Sequence, residues 1–216
     1  MTKQKWVLLA SITLGVLGLY LLFLLAYPEL SYRFGKKKFA PPVIASPPAT
    51  SAISPPTNPG QTATAPESEP TEILYDTPNK LYIEKIGVTL DIIEAESAQA
   101  LEHGAWHRRP QQGNPVIGGN FILTGHRFGF GLTPGEIAKH SSFYHLDKLQ
   151  AGDIISIYWD QRLYEYEVES SQTVHPNAIW IEDQSEEHIL TLYTCTLKGE
   201  FDGRMVVKAR PVVSNE

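Results

Sequence analysis

The hydrophobic positions of this chain follow two regimes on either side of a proline-rich stretch. Residues 6–27 carry no charged side chain and, at 1.5 Å rise per residue, are long enough to cross a bilayer, with Trp6, Tyr20 and Tyr27 suited to its interfaces. A cleavable signal peptide would have a shorter apolar core ending at a small-x-small site. This run is longer and ends Ala26-Tyr27-Pro28, which predicts an uncleaved anchor within residues 1–30. Residues 31–72 begin with the basic group Arg33, Lys36, Lys37 and Lys38 and continue as a linker with Pro41-Pro42, Pro47-Pro48 and Pro55-Pro56 among small residues. Such composition offers too few large apolar groups to offset the entropy of ordering. In polyproline geometry its span would be on the order of 100 Å, so it reads either as a stalk or as an unconstrained linker.

From residue 73 onward the pattern changes to short strands. Asp153-Ile154-Ile155-Ser156-Ile157-Tyr158-Trp159 and Arg162-Leu163-Tyr164-Glu165-Tyr166-Glu167-Val168 flank Asp160-Gln161, a candidate two-residue hairpin, and the second of them alternates polar with apolar. Residues 189–194 and 205–209 read as further strands, and helical pattern is confined to residues 97–102 and 136–139. The expected fold is mainly β: a closed or partly closed barrel with short helices, occupying residues 73–216.

One thiol stands out against this background. Cys195, the only cysteine, ends the apolar run Thr191-Leu192-Tyr193-Thr194, and Arg204 follows nine residues later on the next strand. A lone cysteine is commonly a small buried hydrophobe. At a strand end with a cation nearby it can also be a rigidly presented nucleophile. Of seven histidines, His103 and His107 fall in a polar, turn-rich stretch, His140 and His145 flank Ser141-Ser142, His175 precedes proline and His188 lies among acids; solvation or local hydrogen bonds explain these. His126 differs, because the apolar strand 119–124 stops at Gly125 and the next residue is the imidazole. A glycine there suggests a turning or closely approached backbone, which delivers the side chain into a cleft.

With these residues in place the chain resembles the sortases, membrane-anchored cysteine transpeptidases, and looks closest to their class C, D and E types. Thr191-Leu192-Tyr193-Thr194-Cys195 is similar to the family's Thr-Leu-x-Thr-Cys motif, Gly125-His126-Arg127 to its Gly-His segment, and Arg204 falls where its third active-site residue lies. Tyr82-Ile83-Glu84-Lys85-Ile86-Gly87-Val88 looks like its first barrel strand, with Glu84 where many members have proline. Leu101-Glu102-His103-Gly104-Ala105, Phe143-Tyr144-His145-Leu146-Asp147-Lys148-Leu149 and Gly152-Asp153 continue the order over residues 73–213. The resemblance implies a Cys195 nucleophile, a His126 acid–base and an Arg204 oxyanion group. Its implied substrates are surface proteins or pilins bearing a C-terminal sorting signal of the Leu-Pro-x-Thr-Gly kind, and its acceptor is an amine on peptidoglycan precursor or pilin. Thr124 and Thr194 are candidate supports of the groove, with strand packing as the ordinary explanation. Arg127, the rival to Arg204, should point to the opposite face from its neighbour His126. The absence of an evident lid before the barrel, and of a second apolar run before Glu216, favours anchoring over pilus assembly.

Charge narrows the partners. Residues 73–216 hold 12 Lys and Arg against 20 Asp and Glu, a net of −8, which disfavours nucleic acid. Asp183, Glu186 and Glu187 cluster before the cysteine strand; they are a candidate calcium site or a solvated acidic loop, and no other cofactor is expected. The basic group after the anchor would by the positive-inside rule stay cytoplasmic, whereas the resemblance implies a catalytic domain facing outward. Two other functions remain open: a thiol hydrolase using the same pair, and a noncatalytic membrane-tethered binding module in which Cys195 only packs.

Overall fold

The structure, a computed structural model, describes residues 3–34 and 78–212. The proline-rich stretch, the Lys36–Lys38 group and any lid between anchor and barrel lie outside the described residues. A single long helix, α1 (Lys3–Phe34), contains the apolar run and is almost entirely exposed along residues 6–23. The strands follow as β1 (Lys80–Ile83), β2 (Val88–Glu94), β3 (Ala105–Arg108), β4 (Gly113–Asn114) and β5 (Gly118–Thr124). After the short helix α2 (Pro134–Lys139) come β6 (Ile154–Trp159), β7 (Arg162–Val174), β8 (Ile189–Thr196) and β9 (Gly199–Pro211).

Eight strands run in the order β3-β2-β1-β6-β7-β9-β8-β5, and pairing of β3 with β5 closes the ring, so the barrel is closed. The two-residue strand β4 hangs on β5 outside the ring. Most ladders are antiparallel, but β5 runs parallel to β8, and β2 parallel to β3. The strand period of two sends Leu81, Ile83, Phe121, Leu123, Ile155, Ile157, Leu190, Leu192 and Val207 to the interior, where all are essentially inaccessible. Each such side chain contributes about 1.5–3 kcal/mol of transfer free energy on burial.

The local signals act as expected at several places. Asp160 and Gln161 both adopt positive φ, 48° and 62°, which is the two-residue turn whose twist matches flanking strands. Helix α2 begins with a capping box in which Thr133 Oγ1 accepts from Glu136 N–H and the Glu136 carboxylate accepts from Thr133 N–H. Residues 98–102 form a 3-10 turn.

Other expectations are corrected. Residues 82–88 are not one strand: the chain leaves β1 at Ile83, makes a 3-10 turn over Glu84–Ile86, and returns through Gly87 at φ 66° into β2. Glu84 therefore sits in a hairpin turn, where a left-handed residue is required and glycine supplies it. Strands β7 and β9 are much longer than the pattern indicates because they pair with each other through a bulge at Val168/Ser170, which lets a bent strand continue. His107 does not lie in a turn. It belongs to β3, is fully buried, and is held by Glu94 through Nδ1 and by the Gly113 carbonyl through Nε2, each at 2.9 Å. Its ring packs edge-on against Phe121 and Trp159. The polar neighbours in sequence concealed a histidine whose hydrogen bonds are both supplied by tertiary contacts.

The connection between β7 and β8, which includes the 3-10 turn Ile179–Glu182, folds over the outer face of β5 and β8. Asn120 Nδ2 donates to the carbonyls of Ile181 and Asp183, at 3.2 and 2.8 Å, and its Oδ1 accepts from Thr191 Oγ1 at 2.7 Å. Glu182 accepts from Tyr193 OH at 2.6 Å and from Arg108 and Arg109 at 2.5 and 3.2 Å. Burial alone would raise the Glu182 pKa, but the Tyr193 and Arg108 hydrogen bonds outweigh it and hold the carboxyl below its ordinary range. Because the folded value is depressed, this stabilisation is present above the unfolded value of about 4.3 and is lost as pH falls through the folded value. Glu182→Gln should lower stability by about 2 kcal/mol at pH 7, as is usual for hydrogen bonds to charged groups. Urea unfolding of variant and parent should differ at neutral pH and converge only as the pH falls through the depressed folded value.

Candidate active site

The parallel pairing of β5 with β8 sets the site. It matches Ile122 to Thr191, Leu123 to Leu192 and Thr124 to Tyr193, after which both strands approach the same end of the barrel. Beyond the ladder Gly125 N–H donates to the Tyr193 carbonyl at 3.4 Å, and Thr194 Oγ1 donates to the Gly125 carbonyl at 2.7 Å. His126 and Cys195 each follow two residues after the last matched pair, so both lie at the same end of the barrel. On the other flank β8 pairs antiparallel with β9, with Cys195 directly opposite Arg204. A register shift follows at once between Cys195 and Thr196, ending regular pairing at the thiol.

Face alternation assigns the side chains. Leu190, Leu192 and Thr194 match Ala209, Val207 and Met205 on the barrel interior, so Tyr193 and Cys195 share the outer face with Val206 and Arg204. Cys195 is half-buried, and His126 is about one-third exposed. The Arg204 guanidinium donates to the carbonyls of Glu200 and Gly203, at 2.6 and 3.2 Å, and lines a groove of about 400 Å³ with His175, Pro176, Asn177, Glu200 and Phe201.

Thr124 and Thr194 are both buried, and their hydroxyls bond across the β5–β8 seam, Thr124 Oγ1 donating to the Tyr193 carbonyl at 3.0 Å. They tie together the strand ends that carry His126 and Cys195. Gly125 is closely approached: a Cβ there would lie 2.9 Å from Ser142 Oγ and 3.0 Å from the Phe143 ring, while Phe143 N–H donates to the His126 carbonyl at 2.9 Å. Arg127 is buried, donating to Asp147 Oδ1 at 2.7 Å, on a different path from its neighbour His126. Glu187 of the acidic run pairs with Arg210 at 2.7 Å, and among the described residues no His, Cys, Asp and Glu groups converge as a metal site would require.

Two residues at the site were missed from sequence. Glu102 Oε1 lies 3.3 Å from His126 Nε2, and its Oε2 lies 2.9 Å from His140 Nε2, so one carboxylate bridges two imidazoles whose ring centres are 6.3 Å apart. The His126 hydrogen bond, with the His140 imidazole beside it, holds the Glu102 carboxyl below its ordinary range. Glu102 stood in a segment singled out only for its place in a motif order, and His140 among the ordinary histidines. Their separations of 24 and 14 residues from His126 carry no periodic signal.

A closed, mainly antiparallel barrel carries a thiol at the end of β8, an arginine opposite it on β9 and a histidine just beyond the end of the adjacent β5, groups that cysteine acyl transfer can use. A sequence profile of the Sortase domain matches residues 81–212. Among solved structures, the chain is similar to a Clostridium perfringens sortase D5 transpeptidase, with 29% identity over 63% of this chain and 79% of that one and a TM-score of 0.53. It is also similar to sortase C-1 of Actinomyces oris, with 26% identity over 62% and 73% and a TM-score of 0.53. Listeria monocytogenes sortase A, at 24% identity over 62% and 86% with a TM-score of 0.53, shares the fold. No curated protein matches. The chain belongs to the sortase family and is a sortase-type cysteine transpeptidase.

Gly125→Ala should force the 125–126 backbone away from Phe143 and cost about 1–3 kcal/mol of stability, as overpacking does. Because His126 moves with it, peptide ligation should fall about 100-fold, the scale expected for a displacement of about 1 Å. Thermal unfolding and initial ligation rates measure the two effects separately.

Proposed function

We propose that Cys195 Sγ attacks the carbonyl carbon of a sorting-signal peptide bond, forming the S–C bond of a thioester as the C–N bond breaks. His126 gives the departing amine its proton, then takes one from the incoming amine, whose nitrogen displaces the thiolate. Arg204 turns from the Glu200 and Gly203 carbonyls to the substrate carbonyl, where its permanent charge stabilises the oxyanion. The observation that carries this reading is the strand arrangement: Cys195 lies opposite Arg204 on β9, and on its other side β8 runs parallel to β5, the strand that leads into His126. Glu102 completes the arrangement as the group that orients the base, the role a third residue plays wherever a nucleophile depends on a positioned imidazole.

The substrates are surface proteins or pilins carrying a sorting signal of the Leu-Pro-x-Thr-Gly kind, cleaved between Thr and Gly. The acceptor is an amine on peptidoglycan precursor or on a pilin, with cell-wall anchoring favoured. Helix α1 is the membrane anchor, and the barrel faces outward, where such acceptors are found.

Incubating the protein with a panel of Leu-Pro-x-Thr-Gly-type peptides and a glycine-based amine, with mass spectrometry of the products, tests this reading. Ligated product should form with the parent and vanish with Cys195→Ala; cleavage that ignores the amine would instead make the protein a hydrolase. Arg204→Lys keeps the charge but loses the fork, and should lower the ligation rate by about 10²–10³, the usual effect of losing one oxyanion donor. Glu102→Gln should slow ligation about tenfold and leave the urea midpoint unchanged, because its imidazole contacts are exposed and add little to stability.

A further inference from the structure

The segment directly after Arg127, Phe128-Gly129-Phe130-Gly131-Leu132, alternates apolar side chains with glycines. The glycines face the protein. A Cβ on Gly129 would lie 2.4 Å from His140 Cβ, and one on Gly131 would lie 2.6 Å from Glu136 Cβ. The loop therefore lies tightly on α2 with its glycine edge and turns its apolar edge away: Phe130 is 79% and Leu132 76% exposed. Left in water, each forgoes transfer free energy that a core leucine or phenylalanine would gain.

Backbone polarity points the same way. Gly129 N–H donates to Ser141 Oγ at 3.3 Å, and the N–H groups of Leu132 and Thr133 both donate to Glu136 Oε2, at 2.7 and 3.1 Å. The Phe130 carbonyl lies 3.3 Å from His140 Nδ1, and the Leu132 carbonyl accepts from Tyr20 OH at 2.7 Å. The Glu136 contacts also cap α2, as they would in water; together with the others they meet what a low-dielectric boundary requires, since each unpaired backbone group there costs several kcal/mol.

The neighbour that Tyr20 belongs to is α1. Further along this helix His145 Nε2 lies 3.1 Å from the Pro28 carbonyl and its ring stacks on Tyr32 at 4.2 Å. Leu24 and Pro28 are buried, whereas the preceding residues from Trp6 to Phe23 are exposed. That exposed length is about 27 Å at 1.5 Å per residue, close to a hydrocarbon thickness of about 30 Å. The boundary on the barrel side then falls near Tyr20 and Phe23, aromatics suited to it, and Tyr20 is where the helix holds the loop.

We infer that residues 128–132 dock the barrel onto the bilayer that holds α1, with Phe130 and Leu132 entering the headgroup–acyl boundary. The inference rests on the reading of α1 as a membrane anchor. The loop starts two residues after His126, so its insertion holds the catalytic groove at a fixed height and orientation against the membrane, where membrane-tethered substrates arrive.

The test uses the full chain in the Cys195→Ala background, reconstituted into phosphatidylglycerol-containing vesicles and spin-labelled at one introduced cysteine. Phe130→Cys reports the loop. Leu14→Cys reports the anchor, and Val116→Cys, at the far end of β5, reports water. The ratio of collisions with oxygen to collisions with a nickel chelate should be several-fold higher at position 130 than at 116, approaching that at 14. A position-130 ratio equal to that at 116, with 14 in lipid, overturns the docking and leaves the anchor standing. An aqueous ratio at 14 overturns both. Loss of both collision signals at 130 would mean that protein, such as a second copy of the chain, covers the loop, and also overturns the docking.

Discussion

Everything at the catalytic end of this barrel depends on the parallel pairing of β5 with β8. In an antiparallel pair, strand ends alternate between the two rims, so residues that terminate neighbouring strands lie far apart. A parallel pair brings both carboxyl-terminal ends to one rim. His126 and Cys195, 69 residues apart in sequence, come to the same rim through that single topological choice. The interior half of the seam is Phe121 and Leu123 against Leu190 and Leu192, while Thr124 and Thr194 bond across its end. The same hydrophobic burial that stabilises the fold therefore also fixes the two strand ends that lead to His126 and Cys195.

Around this seam the structure surrounds the thiol with fixed walls. The β7–β8 connection is tied to the outer face by Asn120 and Glu182, and Glu182 reaches Tyr193, two residues before Cys195. On the opposite side Glu102 holds both His126 and His140. Arg204 is the member whose present partners are backbone carbonyls of its own strand. Carbonyls are weaker acceptors for a guanidinium than carboxylates, so these contacts hold Arg204 less firmly than an ion pair would.

The candidate site residues were legible where their elements announce themselves locally. An apolar run ending in cysteine, and another ending in glycine then histidine, are features of a few residues each. Their meaning as a pair came from resemblance rather than from spacing. The parts that were not legible share one trait. His107 reads as a loop residue because its neighbours are polar, yet β3 closes the barrel and carries the imidazole between Phe121 and Trp159. Glu84 sits in what resembles a strand, yet Gly87 in a left-handed conformation turns the chain. Strands β7 and β9 outrun their alternation because each serves as the other's partner across a bulge.

The sequence by itself determined the features governed by local physics. These are the charge-free length of α1, the two-residue turn at Asp160 and Gln161, the cap of α2, and the residues able to serve as nucleophile, base and cation. Tertiary structure alone decided which of them meet. The closure of β3 on β5, the register that sets Cys195 against Arg204, and the carboxylate of Glu102 between two histidines all join residues distant in sequence. No local preference encodes such contacts. They arise when strands whose alternate faces must leave water find the one closed arrangement that buries those faces and pairs the backbone groups between them.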